Sequence, residues 1–173
     1  MNVRLYHAVL PEYTPQGRAA AEREAVLLLV REAFGDEAEY IHDASGAPAV
    51  LLCGNKTNEI SVSHCKGLAV LAVAPLGVRV GVDAETPREQ LYRVKNRFLS
   101  HVEQERFTTL EELTRAWTIK EAVFKASGES GVDFVRELDL LPRPTLRGRG
   151  YTVVIQTLIE DAIVTVVVGD DTK

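Results

Sequence analysis

The stretch LAVLAVAPLGVRVGVDAE, residues 68–85, reads as two apolar extended segments, Leu68 to Ala74 and Val78 to Glu85. Pro75-Leu76-Gly77 is the turn between them. The second segment is apolar for most of its length, as a buried strand is, and ends in Asp83 and Glu85. Upstream, Val3 to Leu10 alternates loosely as a first strand. Thr14-Pro15 looks like an N-cap with proline at the first helical position, opening a helix from Gln16 to Phe34 that Gly35 stops. Short extended pieces follow at Ala38 to His42, Ala49 to Cys53 and Glu59 to Ser63. Downstream, a helical stretch runs from Pro87 to about Arg97. Ser100 with Glu103 and Thr109 with Glu112 read as capping boxes, the second opening a helix over Leu110 to Ser127 that Gly128 closes. Strands return at Phe134 to Leu138, Tyr151 to Leu158 and Ala162 to Val168. This order predicts an α+β fold with largely antiparallel pairing.

The chain has 173 residues, 46% hydrophobic and 26% charged, which suits one domain or two small halves sharing a core. A net charge of −5 argues against a nucleic-acid partner. No apolar run approaches the ~18 residues of a membrane span, and Met1-Asn2-Val3-Arg4 does not open a signal peptide. Cys53 and Cys65 have no metal-type spacing and read as reduced thiols, so a cytoplasmic location is expected. Arg143, Arg147 and Arg149, among Pro142, Pro144 and Gly148, read as a solvated hairpin turn.

Three places could carry chemistry. Asp83 and Glu85 share one strand face, either as a site for a hard cation or as a strand end running into solvent. Trp117, Glu121 and Lys125 fall at i, i+4 and i+8 along one helix stripe; Glu121 and Lys125 alone would be an ordinary surface pair, and Trp117 ordinary core. Ser63-His64, followed by Lys66-Gly67, could bind a phosphate or simply end a strand. Ser63 and His64 do not read as a hydrolase pair, because neighbours on a strand point to opposite faces and no Gly-x-Ser-x-Gly elbow is present.

Taken together, Ser63-His64, Gly81-Val82-Asp83-Ala84-Glu85 and Trp117-Thr118-Ile119-Lys120-Glu121-Ala122 with Lys125 resemble the signature of the 4'-phosphopantetheinyl transferase superfamily. The order is similar to the single-chain, surfactin-synthetase-activating type. Gly46-Ala47-Pro48, Arg97-Phe98-Leu99-Ser100 with Glu103, and Val132-Asp133-Phe134 fit the same pattern, so the resemblance covers about Asp43 to Leu140. It implies two similar α/β halves related by pseudo-twofold symmetry, each with a long helix packed on it. Residues 1–77 would contribute coenzyme A contacts, and residues 78–173 the metal and catalytic motifs.

The resemblance also implies the reaction: transfer of the phosphopantetheine arm of coenzyme A to a serine of an acyl or peptidyl carrier protein, with release of adenosine 3',5'-bisphosphate. Asp83, Glu85 and Glu121 would hold Mg²⁺, an oxygen-seeking ion that shares substrate phosphates. Lys125 would stand near the transferred phosphoryl group, with Lys120 assisting, and Glu103 or Glu121 would deprotonate the incoming serine. Ser63 and His64 would contact the 3'-phosphate, with Arg23 of the first helix as a further coenzyme A contact. Val94, Phe98 and Phe107 are candidates for carrier docking, though core packing would use them equally well. A two-half chain has less need to assemble, so a monomer is expected. Ala47 stands where the family often carries a coenzyme A-binding lysine. That departure keeps open a non-catalytic homologue that binds coenzyme A or a carrier, and beyond it a plain α+β interaction domain.

Overall fold

The computed structural model describes residues 2–172. The apolar stretch at 68–85 becomes two antiparallel-sheet strands that belong to different sheets, β6 (Leu68–Pro75) and β7 (Val78–Glu85). β6 is the central strand of a sheet ordered β1 (Arg4–Val9), β6, β5 (Asn58–Cys65). β7 is the edge of a second sheet. That sheet continues through β11 (Ala162–Thr172), β10 (Arg149–Ile159), β9 (Thr145–Leu146) and β8 (Leu138–Asp139). All pairings are antiparallel. In each sheet the first strand of its segment pairs with the last, and the last with the one before it: β1–β6–β5 and β7–β11–β10.

β6 is apolar throughout because both its faces are covered. Leu68, Val70, Ala72 and Ala74 meet Val78, Val80, Val82 and Ala84 of β7 and Ala162, Val164, Val166 and Val168 of β11 in a core between the two sheets. Ala69, Leu71 and Val73 face the other way, onto Ala25, Val26, Leu29 and Val30 of α1 (Arg18–Phe34). Period-two alternation in the strand thus serves two cores at once. Each fully buried Val or Leu contributes about 1.5–3 kcal/mol. A small sheet of β2 (Glu39–His42), β3 (Pro48–Leu52) and β4 (Asn55–Lys56) lies between α1 and β5 in the chain.

The second sheet is covered by α4 (Leu110–Ser127), whose Leu113, Ala116, Ala122, Val123 and Ala126 pack with Phe98, Leu99, Leu138, Leu146 and Tyr151. Both capping boxes form, at Ser100–Glu103 for α3 (His101–Arg106) and at Thr109–Glu112 for α4, and Gly128 closes α4 in the left-handed conformation. Thr118 of α4 and Thr165 of β11 join their buried hydroxyls at 2.7 Å.

Three expectations need correction. α1 starts at Arg18, because Thr14 Oγ1 accepts the Gly17 N–H and so caps a separate turn. The stretch after Pro87 contains only a short helix, α2 (Gln90–Val94), continued by a 3-10 turn at Lys95–Arg97. Residues 134–137 form a turn and not a strand, since Asp133 Oδ1 accepts the N–H groups of Val135 and Arg136. The arginines near Pro142 do lie on an exposed hairpin, β9 to β10, and they are ion-paired there: Arg147 with Glu129 and Glu137, Arg149 with Glu129, and Arg143 with Asp170.

Candidate active site

β7 lies at the edge of its sheet, so alternate N–H groups on its free side need other partners. Two serines of β5 supply them. Ser61 Oγ accepts the Val82 N–H at 3.0 Å and Ser63 Oγ accepts the Ala84 N–H at 3.3 Å. The seam between the sheets is therefore held by side-chain oxygens, and it brings Ser63 against Asp83.

Asp83 is 5% exposed. Its Oδ1 receives the Ser63 hydroxyl at 2.9 Å and the Lys125 ammonium at 2.8 Å, while its Oδ2 is buried with no hydrogen-bond partner. Lys125 also donates to the Val82 carbonyl and to Ser63 Oγ, both at 3.0 Å, so all three of its protons are engaged. Its side chain is 29% exposed.

α4 is brought close to β7 by Gly81. A Cβ at that position would stand 1.9 Å from the Ala122 carbonyl oxygen, so only glycine lets the helix backbone lie here. Glu121 and Lys125 are thereby set beside Asp83. Glu121 is pushed up to about 7, first by burial and then by the negative charges of Asp83 and Glu85, with Lys125 opposing. Glu85 is raised as well, mainly by burial, against the lowering effect of Arg88 at 2.9 Å and a hydrogen bond from Trp117.

Asp83 thus acts on both Glu85 and Glu121, and Glu85 acts on Glu121. Among the described residues, however, no three His, Cys, Asp or Glu side chains form a ready-made metal cluster. What speaks for a cation is the chemistry of the set. A buried carboxylate oxygen without a donor, beside two carboxyls that resist ionisation, is completed by a hard, oxygen-seeking ion such as Mg²⁺.

The other expected residues divide. Glu103 and Lys120 form a separate, closed pair, 2% and 0% exposed. Lys120 donates to Glu103 Oε2, the Phe134 carbonyl and the Leu138 carbonyl, at 2.8, 2.8 and 2.7 Å. Glu103 also accepts the N–H groups of Ser100 and Leu140. Neither has a polar atom to spare for a substrate in this arrangement. Ser63, with its hydroxyl fully engaged at the seam, is in the same condition.

His64 points away from Ser63, as strand geometry requires. Its Nδ1 lies 3.3 Å from Glu22, which also accepts from Arg18 Nε at 2.6 Å. Arg23 lines a cavity of about 430 Å³ with His64, Tyr40 and His42. A second cavity of about 320 Å³ runs from His64 past Arg18, Lys66 and Arg88 to Glu85. That cleft gathers cations beside Glu85, a lining that suits a polyphosphate. Of these, Lys66 gave a signal in the Lys66-Gly67 turn after His64, and Arg18 in the basic residues Arg18, Arg23 and Arg31 of the first helix; Arg88 gave none.

Trp117, equally consistent with plain core, packs against the core and stands near the site: its ring lies edge-on to Phe98 with centroids 5.0 Å apart, and its indole helps to lower Glu85. Phe98 is in the core with Leu91 and Leu99, and Val94 and Phe107 pack against that core. The exposed apolar side chains around the linking helices are Tyr92 and Val102. Both cysteines are free, and burial pushes Cys65 up to about 11. No helix among the described residues is long and apolar enough to cross a membrane.

A family model described as the 4'-phosphopantetheinyl transferase superfamily matches residues 79–167, from the start of β7 through α4 into β11. No curated protein matches the chain.

Proposed function

The chain belongs to the 4'-phosphopantetheinyl transferase superfamily, and from that premise we propose that it moves the phosphopantetheine arm of coenzyme A to a serine of an acyl or peptidyl carrier protein. The observation that carries this reading is the Asp83–Lys125 pair with Glu85 and Glu121 within reach of its charges, Glu85 also lining the cationic cleft. The carrier serine oxygen forms a bond to the phosphorus bearing the arm. The bond from that phosphorus to the bridging oxygen breaks, and adenosine 3',5'-bisphosphate leaves.

Asp83, through Oδ2, with Glu85 and Glu121, would hold Mg²⁺. When bound, the ion supplies Lewis-acid stabilisation of charge on the leaving phosphate. Lys125 serves the same charge from the protein side, exchanging one of its three present contacts for a phosphate oxygen. The serine proton would go to Glu121, which stands on α4 near Asp83 and Lys125. Of the two glutamates considered for that step it is the suitable one, since the oxygens of Glu103 are occupied. Arg18, His64, Lys66 and Arg88 would line the phosphate path, with Arg23 farther along on the far side of His64.

On this reading residues 1–77 supply coenzyme A contacts and residues 78–173 the metal and catalytic groups. The shared strand order of the two sheets supports a pseudo-twofold, single-chain architecture, and we propose that such a chain works as a monomer. Two free thiols suit a reducing, cytoplasmic setting.

The test is mass spectrometry of apo acyl and peptidyl carrier proteins incubated with the chain, coenzyme A and Mg²⁺, with an EDTA control. A metal-dependent gain of about 340 Da, one arm, is expected. Coenzyme A binding with no gain on any carrier would replace this reading with the non-catalytic homologue.

A further inference from the structure

A serine hydroxyl has one proton to donate and two lone pairs to accept with. Ser63 uses all three. It donates to Asp83 Oδ1 at 2.9 Å, and accepts from Lys125 Nζ at 3.0 Å and from the Ala84 N–H at 3.3 Å. It is buried, and it reaches these partners from the other sheet, across 20 residues of sequence to Asp83 and 62 to Lys125. Its contacts are therefore set by how the two sheets pack, not by the local chain.

The consequence falls on Asp83. Two donors converge on Oδ1 and none reaches Oδ2, which is buried all the same. A carboxylate turns about its Cβ–Cγ bond as one plate, so anchoring one oxygen decides where the other lies. Lys125 alone would anchor Oδ1 from one side only; the Ser63 hydroxyl closes the triangle of Ser63, Asp83 and Lys125.

We propose that Ser63 is a positioning residue. From the first sheet it fixes Oδ1 of Asp83 and the Lys125 ammonium, leaves Oδ2 as the oxygen offered to a divalent cation, and makes no contact with the phosphates of coenzyme A. The use of the cation rests on the phosphopantetheinyl transferase reading. Ser61, two residues earlier on the same strand face, provides a matched control. Its hydroxyl receives the Val82 N–H at 3.0 Å, and among the described residues no hydrogen bond joins it to Asp83 or Lys125.

Mn²⁺ binding to the whole protein without coenzyme A, followed by electron paramagnetic resonance, tests this directly. Ser63→Ala is expected to weaken Mn²⁺ about tenfold, as loss of an outer partner of a metal ligand does, while Ser61→Ala stays within about twofold of wild type. At saturating Mg²⁺ the KM for coenzyme A of Ser63→Ala stays near that of wild type. If the alanine variant does not fold, Ser63→Thr and Ser63→Val, alike in volume and different in the hydroxyl, replace it: threonine retains Mn²⁺ and valine loses it. The assignment is overturned by equal weakening in Ser61→Ala, by unchanged Mn²⁺ binding in Ser63→Ala, by a raised KM for coenzyme A as its only defect, or by a wild type that binds no Mn²⁺. Absence of arm transfer together with selective Mn²⁺ loss in Ser63→Ala would remove the transferase reading and leave Ser63 in its assigned role.

Discussion

Helix α4 carries two lysines five residues apart, each paired at 2.8 Å with a carboxylate from another element. Around Lys120 everything is closed: three protons find three oxygens, and Glu103 accepts two backbone N–H groups besides. Around Lys125 the ammonium is equally saturated, but its partner Asp83 keeps a buried oxygen without a donor, and two more carboxyls crowd in. A satisfied buried pair organises a fold, whereas an unsatisfied one has capacity left for a ligand. The first pair draws α3, α4 and the 134–140 segment together. The second stands near Glu85, which lines the cationic cleft.

The largest expected effect separates the pairs by stability. Lys120→Ala leaves Glu103 buried without its cation and should cost about 3–5 kcal/mol in urea unfolding. The double change Lys120→Met with Glu103→Leu should recover much of that loss, and a double variant no more stable than the single one would break the comparison. Asp83→Ala should do the reverse. Arm transfer should fall about 10²–10³-fold with little change in the unfolding midpoint, measured by carrier mass shift over time.

Glu121 sharpens the comparison through pH. Its raised folded-state value means that the folded protein holds the proton more tightly than the unfolded chain. Stability from this group is therefore full below about pH 4.5 and lost as pH rises through about 7. Without added metal, Glu121→Gln should be more stable than wild type at pH 8, on the order of 2 kcal/mol, and equal to it near pH 4. Denaturant titrations at the two pH values check this, and a loss of stability at pH 8 would show that the carboxylate is not under strain. The smallest effect belongs to a group in neither pair: Thr109→Ala should lower stability by about 1 kcal/mol through the lost α4 cap and leave transfer unchanged.

What could be read from the residues alone was local. The boxes at Ser100–Glu103 and Thr109–Glu112, the stop at Gly128 and the span of β7 all follow from neighbours within a turn or a strand. The stripe of Trp117, Glu121 and Lys125 followed from helix period, and so did the opposite aims of Ser63 and His64 from strand period. What stayed hidden was each residue's second partner. Glu103 was legible as a capping glutamate, but Lys120 is 17 residues away and the Leu140 N–H is 37 away. Assigning Glu103 and Lys120 to the chemistry followed the resemblance past what spacing could show. The turn at 134–137 was missed because β-forming side chains there suggested extension, while the Asp133 carboxylate, just before them, gathers the backbone inward.

The contact of Gly81 with α4 sets a dimension that side-chain exchange cannot adjust. The atom a Cβ would strike is the Ala122 carbonyl oxygen, part of the helix backbone, so no smaller neighbour could make room for it. The gap between the strand that bears Asp83 and the helix that bears Glu121 and Lys125 is thus fixed in the way a machined spacer fixes two plates. Exchanging the side chains around the two elements leaves that spacing as it is. The distance between the charged groups is set by the absence of a side chain.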